Sequence, residues 1–330
     1  MNHSAAPLER EASSADQILE QIHPASHPPK DFDRLKASNP ELIKYGLPPR
    51  PPQGSDQRLQ ERWHHNMSLP GLQYVYPNFH IKKNGTHNRK PGPVPDNSTT
   101  STSPDWCGAI LRPPVGQKFL AVCANWIVPN VYPPESARIG ESTWNDGIYD
   151  RSIAVGLDGA GEKGCDLLVG TTSEVQVSCG HISRQSAYVR VRYPTTGPDL
   201  EVTNFNLVPG DFICGRVHLD PTDNTKGIVI LLNETSVQYT SFRFELSRDL
   251  HFGGGPARWG VEEIGDLVDY EFDAFARFGA IYLDEPVAVS PVNNVLRSYD
   301  MTNAAIVNMV DGNRNGHAAS RITPNLLKIC

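Results

Sequence analysis

From Trp106 onward, short runs of β-branched, aliphatic and aromatic residues alternate with Gly, Pro, Asn and Asp. The runs are "FLAVCANWIV" (119–128), "RSIAVGLDG" (151–159), "EVQVSCG" (174–180), "SAYVRVRYP" (186–194), "DFICGRVHL" (211–219), "GIVILLNET" (227–235) and "TSFRFEL" (240–246). In Tyr188-Val189-Arg190-Val191-Arg192-Tyr193 apolar and charged positions exchange at nearly every step, the period of a strand with one buried face. This spacing predicts an all-β fold, an antiparallel two-sheet β-sandwich. Near the end, "MTNAAIVNMVDG" is expected to form a helix stopped by Gly312.

The first hundred residues have a different texture. Residues 1–30 are polar and interrupted by proline, and are expected to be disordered or loosely attached. "SNPELIKYGLPPRPP" carries helix punctuation: Asn39 as N-cap, Pro40 at the first helical position and Gly46 beyond the last turn. It predicts a short helix over 40–45. In "SDQRLQERWHHNM", with Ser55 or Asp56 as cap, Leu59 and Trp63 share one face, so a second short helix docks on something larger. Residues 31–83 thus form an N-terminal extension with two short helices, 84–104 read as a linker by composition, and 105–330 make the sandwich domain.

Composition narrows the function classes. The chain of 330 residues carries a net charge of −7 with a pI near 5.9, which argues against a nucleic-acid partner. No apolar run approaches the length of a membrane span, and the N-terminus lacks the apolar stretch of a signal peptide, so a cytoplasmic location is expected. The six cysteines show no zinc spacing and are expected to be reduced and mostly buried. "GAGEKG" (159–164) satisfies GxGxxG, but the following "CDLLVG" reads as strand where a dinucleotide site needs a helix. "HFGGG" (251–255) has no GxSxG partner anywhere in the chain. In "WHHN" the two histidines diverge, and "DPTDNTKG" lacks calcium-loop spacing. Neither a metal nor a cofactor is expected.

One ordered set of motifs is more specific. "DWCGAILRPPVGQKFLAVCANWIVPN" (105–130), "AVGLDGAG" (154–161), "DLLVGTTSEV" (166–175), "RYP" (192–194), "ARWGVEEIGD" (257–266) and "FARFGAIYL" (275–283) resemble, in order and approximate spacing, the glutamic peptidases, or eqolisins. The family pattern runs Trp-x-Gly-Ala, Trp-x-Val-Pro, Val-Gly-Ile-Asp-Gly, Leu-Gln-x-Gly, Ala-Glu-Trp-Ile and Phe-x-x-Phe. The resemblance implies two bent antiparallel sheets with a cleft on a concave face. It also implies a glutamate that activates water as general acid/base and a glutamine amide that stabilises the oxyanion, working at acidic pH.

In this chain both groups are replaced. Matching "ARWGVEE" to Ala-Glu-Trp-Ile puts Arg258 at the glutamate position. Matching "DLLVGTTSEV" to the glutamine strand puts Val169, or with a one-residue shift Gly170, at the other. A permanently protonated guanidinium takes no proton from water, and neither Val169 nor Gly170 has a side-chain amide to donate. The tryptophan that precedes Val-Gly-Ile-Asp-Gly becomes Ala154, and Val189, Arg190, Val191 and Arg192 replace aromatic and acidic cleft residues. The candidate cleft therefore comprises Trp106, Asp158, Val169, Thr171, Val189, Val191, Arg258 and Glu262, with Glu262 sharing the face of Arg258 by strand parity. The expectation is a glutamic-peptidase-like protein without the family's peptidase reaction, holding a small molecule or peptide in the former cleft. A second reading is an enzyme acting on a small anionic metabolite, with Arg258 as clamp and Asp158 or Glu262 as proton carrier. A third is an acid endopeptidase of the family.

Overall fold

The structure is a computed structural model and describes residues 19–81, 95–104, 106–158, 167–192, 199–246, 250–262, 276–310 and 316–330. Two large sheets pack face to face. Eight strands carry the argument: β1 (Trp106–Leu111), β2 (Ala121–Ile127), β3 (Gly147–Leu157), β4 (Leu167–Ser178), β5 (His181–Arg192), β6 (Phe212–Leu219), β7 (Lys226–Asn233) and β8 (Ala257–Glu262).

The first sheet runs Ile22–Pro24, Gln238–Glu245, β7, β6, β2, Ile281–Val292, Leu326–Ile329, Ala319–Thr323. The second runs Gly316–His317, Ala305–Val310, β1, β8, β3, β4, β5, Asp199–Leu207, Phe79–Ile81. Pairing is antiparallel throughout these paths. Apolar residues alternate along each central strand, and the inward set fuses into one core that includes Trp126, Val155, Val169, Val191, Val217, Val229, Phe242 and Trp259. Two tryptophans tie the sheets together through their indole N–H groups. Trp126 Nε1 donates to Thr171 Oγ1 at 2.8 Å, and Trp259 Nε1 donates to the Cys123 carbonyl at 3.0 Å, as buried indoles require.

The N-terminal extension covers the outer face of the first sheet. Helix α1 (Asn39–Lys44) begins with Ser38 as N-cap, one residue earlier than the sequence predicts, because Ser38 and Glu41 close a reciprocal capping box. Helix α2 (Gln57–Ser68) buries Leu59, Trp63 and Met67, the spacing of one helical face. Its leading Asp56 caps no helical N–H and instead accepts from Arg297 and Ser298, fastening the helix start to the strand Val295–Tyr299.

Three expectations need correction. Residues 22–24 are not loose: Ile22–Pro24 pairs with Phe242–Phe244 as an edge strand, where a proline is tolerated. Thr100–Ser103, inside the compositional linker, is a strand running parallel to Ala305–Val310. The C-terminal helix is absent; Ala305–Val310 is a strand with alternating burial, preceded by a single 3-10 turn at Met301–Asn303. No helix of the described residues is long and apolar enough to cross a membrane. Among the described residues Cys107, Cys123 and Cys214 are buried free thiols, and Cys179 and Cys330 are exposed ones.

Candidate functional site

Register decides which residues share a surface. In antiparallel pairs directly opposite residues point the same way. Ala109, Trp259, Val155, Val169 and Val191 form one such row, and all five are buried in the core between the sheets. The neighbouring row on the other face runs Ile110, Arg258, Gly156, Leu168. The next is Gly108, Gly260, Ala154, Gly170, and the third is Trp106, Glu262, Ser152, Thr172.

Four of the candidate residues are therefore misplaced by the sequence reading. Val169, Thr171, Val189 and Val191 face the other sheet and are fully buried, with Thr171 engaged by Trp126. They pack the core and line no cleft. The residue of β4 that shares the outer face with Arg258 is Leu168, which lies across Gly156 from it. Arg190 and Arg192 pair in register with Gly170 and Leu168.

Trp106, Arg258 and Glu262 share the outer face, Trp106 and Glu262 as a direct cross-strand pair and Arg258 four residues along the strand. Glu262 is 3% exposed and Arg258 half-buried. The Trp106 indole folds back over β1 and β8: a Cβ added at Gly260 would stand 2.7 Å from its Cζ2, and one at Gly108 2.9 Å. Backbone carbonyls of the paired strands stand closer still, Trp259 O at 2.1 Å from the Gly108 position and Cys107 O at 2.4 Å from the Gly260 position, so strand pairing and ring together require the two glycines. Beside Glu262, the Ser152 and Thr172 side chains are fully buried, and their hydroxyl groups have no hydrogen-bond partner among the described residues. Sequence reasoning missed both, since a lone Ser or Thr in a strand carries no motif.

Asp158 has a different job. At the end of β3, with φ of 64°, its Oδ2 accepts from the backbone N–H groups of Gly253 at 2.7 Å and Gly254 at 3.2 Å, and its Oδ1 accepts from that of Gly255. Three successive glycine amides form an anion-binding nest, and this carboxylate fills it. A Cβ at Gly255 would come within 2.6 Å of Asp158 Oδ1, so the third glycine is a steric necessity. The "HFGGG" amides are committed to this turn and offer nothing to an oxyanion.

The model of the Peptidase A4 family matches residues 104–326. The chain belongs to this family, the glutamic peptidases. The fold is similar to that of scytalido-glutamic peptidase, in a crystal structure with a transition state analog inhibitor (TM-score 0.52, 20% identity) and in another with a peptide-based transition state analog (TM-score 0.51, 20% identity). Each match covers 69% of this chain and 98% of the other. No curated protein matches the sequence.

Proposed function

We propose that this glutamic peptidase family member does not hydrolyse peptides by the family's Gln/Glu chemistry and instead binds a peptide or small molecule on the outer face of its second sheet. The observation that carries this reading is the pair flanking Gly156 on that face, Leu168 and Arg258. Leu167-Leu168-Val169-Gly170 matches Leu-Gln-x-Gly without a gap, so Leu168 stands for the glutamine; Val169, its neighbour, points into the core. Leucine donates no hydrogen bond, and arginine is no general base. Loss of a base costs about 10²–10⁴ in rate and loss of an oxyanion donor about 10²–10³. Peptide-like ligands are favoured because the solved relatives hold peptide-based transition state analogs.

The test restores what is missing. With a denatured protein substrate at about pH 4, in the acidic range of the Gln/Glu chemistry, wild type gives no cleavage above a blank. Leu168→Gln combined with Arg258→Glu gains measurable cleavage. In parallel, a peptide library screened by tryptophan fluorescence yields ligands whose signal is lost in Trp106→Leu. Cleavage by wild type that disappears in Glu262→Gln would overturn the reading. The metabolite-enzyme alternative loses one of its two proton carriers, since the Asp158 carboxylate is held by the glycine turn.

A further inference from the structure

On the opposite side of the molecule, helix α2 and the segment Leu47–Pro51 roof the outer face of the first sheet and leave a small cavity. Pro48, Pro51, Leu59, Trp63, Val289 and Leu296 give it apolar walls, and Arg62, Asn66, Arg216 and Cys123 face it as well. Its polar groups are nearly all donors. Arg62 and Asn66 both aim at Cys214 Sγ, at 3.7 and 3.8 Å, and Arg62 also donates to Asn125 Oδ1 at 2.5 Å and to the Glu285 carbonyl at 2.7 Å. Arg216 is half-buried, and its Nε is shut away from solvent with no hydrogen-bond partner among the described residues.

The charges here do not balance. No carboxylate lines the cavity. Glu285 approaches Arg62 only to 3.8 Å and keeps 43% of its side chain exposed. Burial lowers the Arg216 pKa from its usual value and raises that of the Cys214 thiol, so Cys214 stays neutral and supplies no counter-charge. A guanidinium N–H buried without an acceptor costs about 1–3 kcal/mol in order of magnitude. A cavity that is dry on its walls and rimmed by two guanidinium groups and an amide offers the matching solution.

We propose that the cavity between α2 and strand β6 is a binding site for a small inorganic anion of about halide size, held by Arg216, Arg62 and Asn66. Anion binding there locks the N-terminal extension onto the first sheet, because Arg62 and Asn66 come from α2 and Arg216 from β6. The site lies across the core from the face discussed above, so its failure would leave the proposed function untouched.

The experiment uses the full chain, melted in chloride and in gluconate at matched ionic strength. Chloride at ten times its dissociation constant raises the wild-type Tm by roughly 3 °C, saturably. Arg216→Met abolishes that rise and melts no lower than wild type in gluconate, since it removes a buried N–H that has no acceptor among the described residues. Independently of any variant, crystals soaked in bromide show an anomalous peak in contact with Arg216 and Asn66. Equal chloride responses in wild type and Arg216→Met, or bromide found only on the surface, would overturn the proposal. Stabilisation by phosphate or sulfate without any by halides would overturn the size assignment.

Discussion

At the scale of single residues, Asp158 shows how one side chain serves a turn instead of a reaction. It gathers the N–H groups of Gly253, Gly254 and Gly255, residues 95 to 97 positions further along the chain, and so fixes the approach to β8 on which Arg258 and Glu262 stand. Asp158→Ala leaves three amides without their acceptor. Charge-assisted hydrogen bonds contribute about 1.5–3 kcal/mol each on removal, and the losses overlap, so the variant is expected to lose about 3 kcal/mol or more. Asp158→Asn keeps one acceptor oxygen and loses less. Urea denaturation midpoints check the order, and equal stability of Asp158→Ala and wild type would sink the turn assignment. The sequence places Asp158 in the cleft, because its three partners lie far away in the chain and meet it only when β3 and β8 pair. Val169 differs for another reason: a one-residue slip in a strand exchanges its two faces, and the register with Gly156 and Arg258, which agrees with the ungapped match to Leu-Gln-x-Gly, puts Leu168 at the outer position.

At the scale of elements, α2 is the piece whose sequence and structure agree most closely. Leu59, Trp63 and Met67 recur at helical spacing and are the residues it buries. Trp63 is 3% exposed, donates from Nε1 to the Pro48 carbonyl at 2.9 Å and carries the Arg50 guanidinium 4.9 Å above its ring. Trp63→Ala is expected to cost about 3–5 kcal/mol, read as a lowered denaturation midpoint, with the sandwich retaining its far-UV β signal if the extension detaches first. Unchanged stability would show that α2 contributes nothing to the fold. The central strands were legible from their period of two, because each buries one face. The strand Ala305–Val310 was not, since "NAAIVNMV" is apolar enough to satisfy either period, and its pairing with β1 decides the outcome. Thr100–Ser103 was hidden by a Ser/Thr composition that reads as linker; its strand character comes from the parallel partner it finds in Ala305–Val310.

At the scale of the whole molecule, the extension packs on the outer face of the first sheet, and a buried histidine on that sheet makes stability respond to pH. His218 on β6 is only 9% exposed and its Nδ1 has no hydrogen-bond partner. Burial, reinforced by the charge of Arg216, pushes its pKa down to about 3 against the ordinary value of 6.5. Between those two values the unfolded chain binds a proton at this position and the folded chain does not. Folding is therefore favoured above pH 6.5 and loses stability as the pH falls, with a slope of at most about 1.4 kcal/mol per pH unit from this one group, levelling off near the folded pKa. Carboxylates add their own acid sensitivity, so the comparison must be a difference: His218→Leu is expected to show a shallower decline than wild type between pH 6.5 and 3, whatever its absolute stability at neutral pH. Parallel declines would refute the role of His218. The contribution of a neutral, buried His218 is therefore fully present above pH 6.5 and lost toward acid, and the His218→Leu comparison isolates it from the carboxylates.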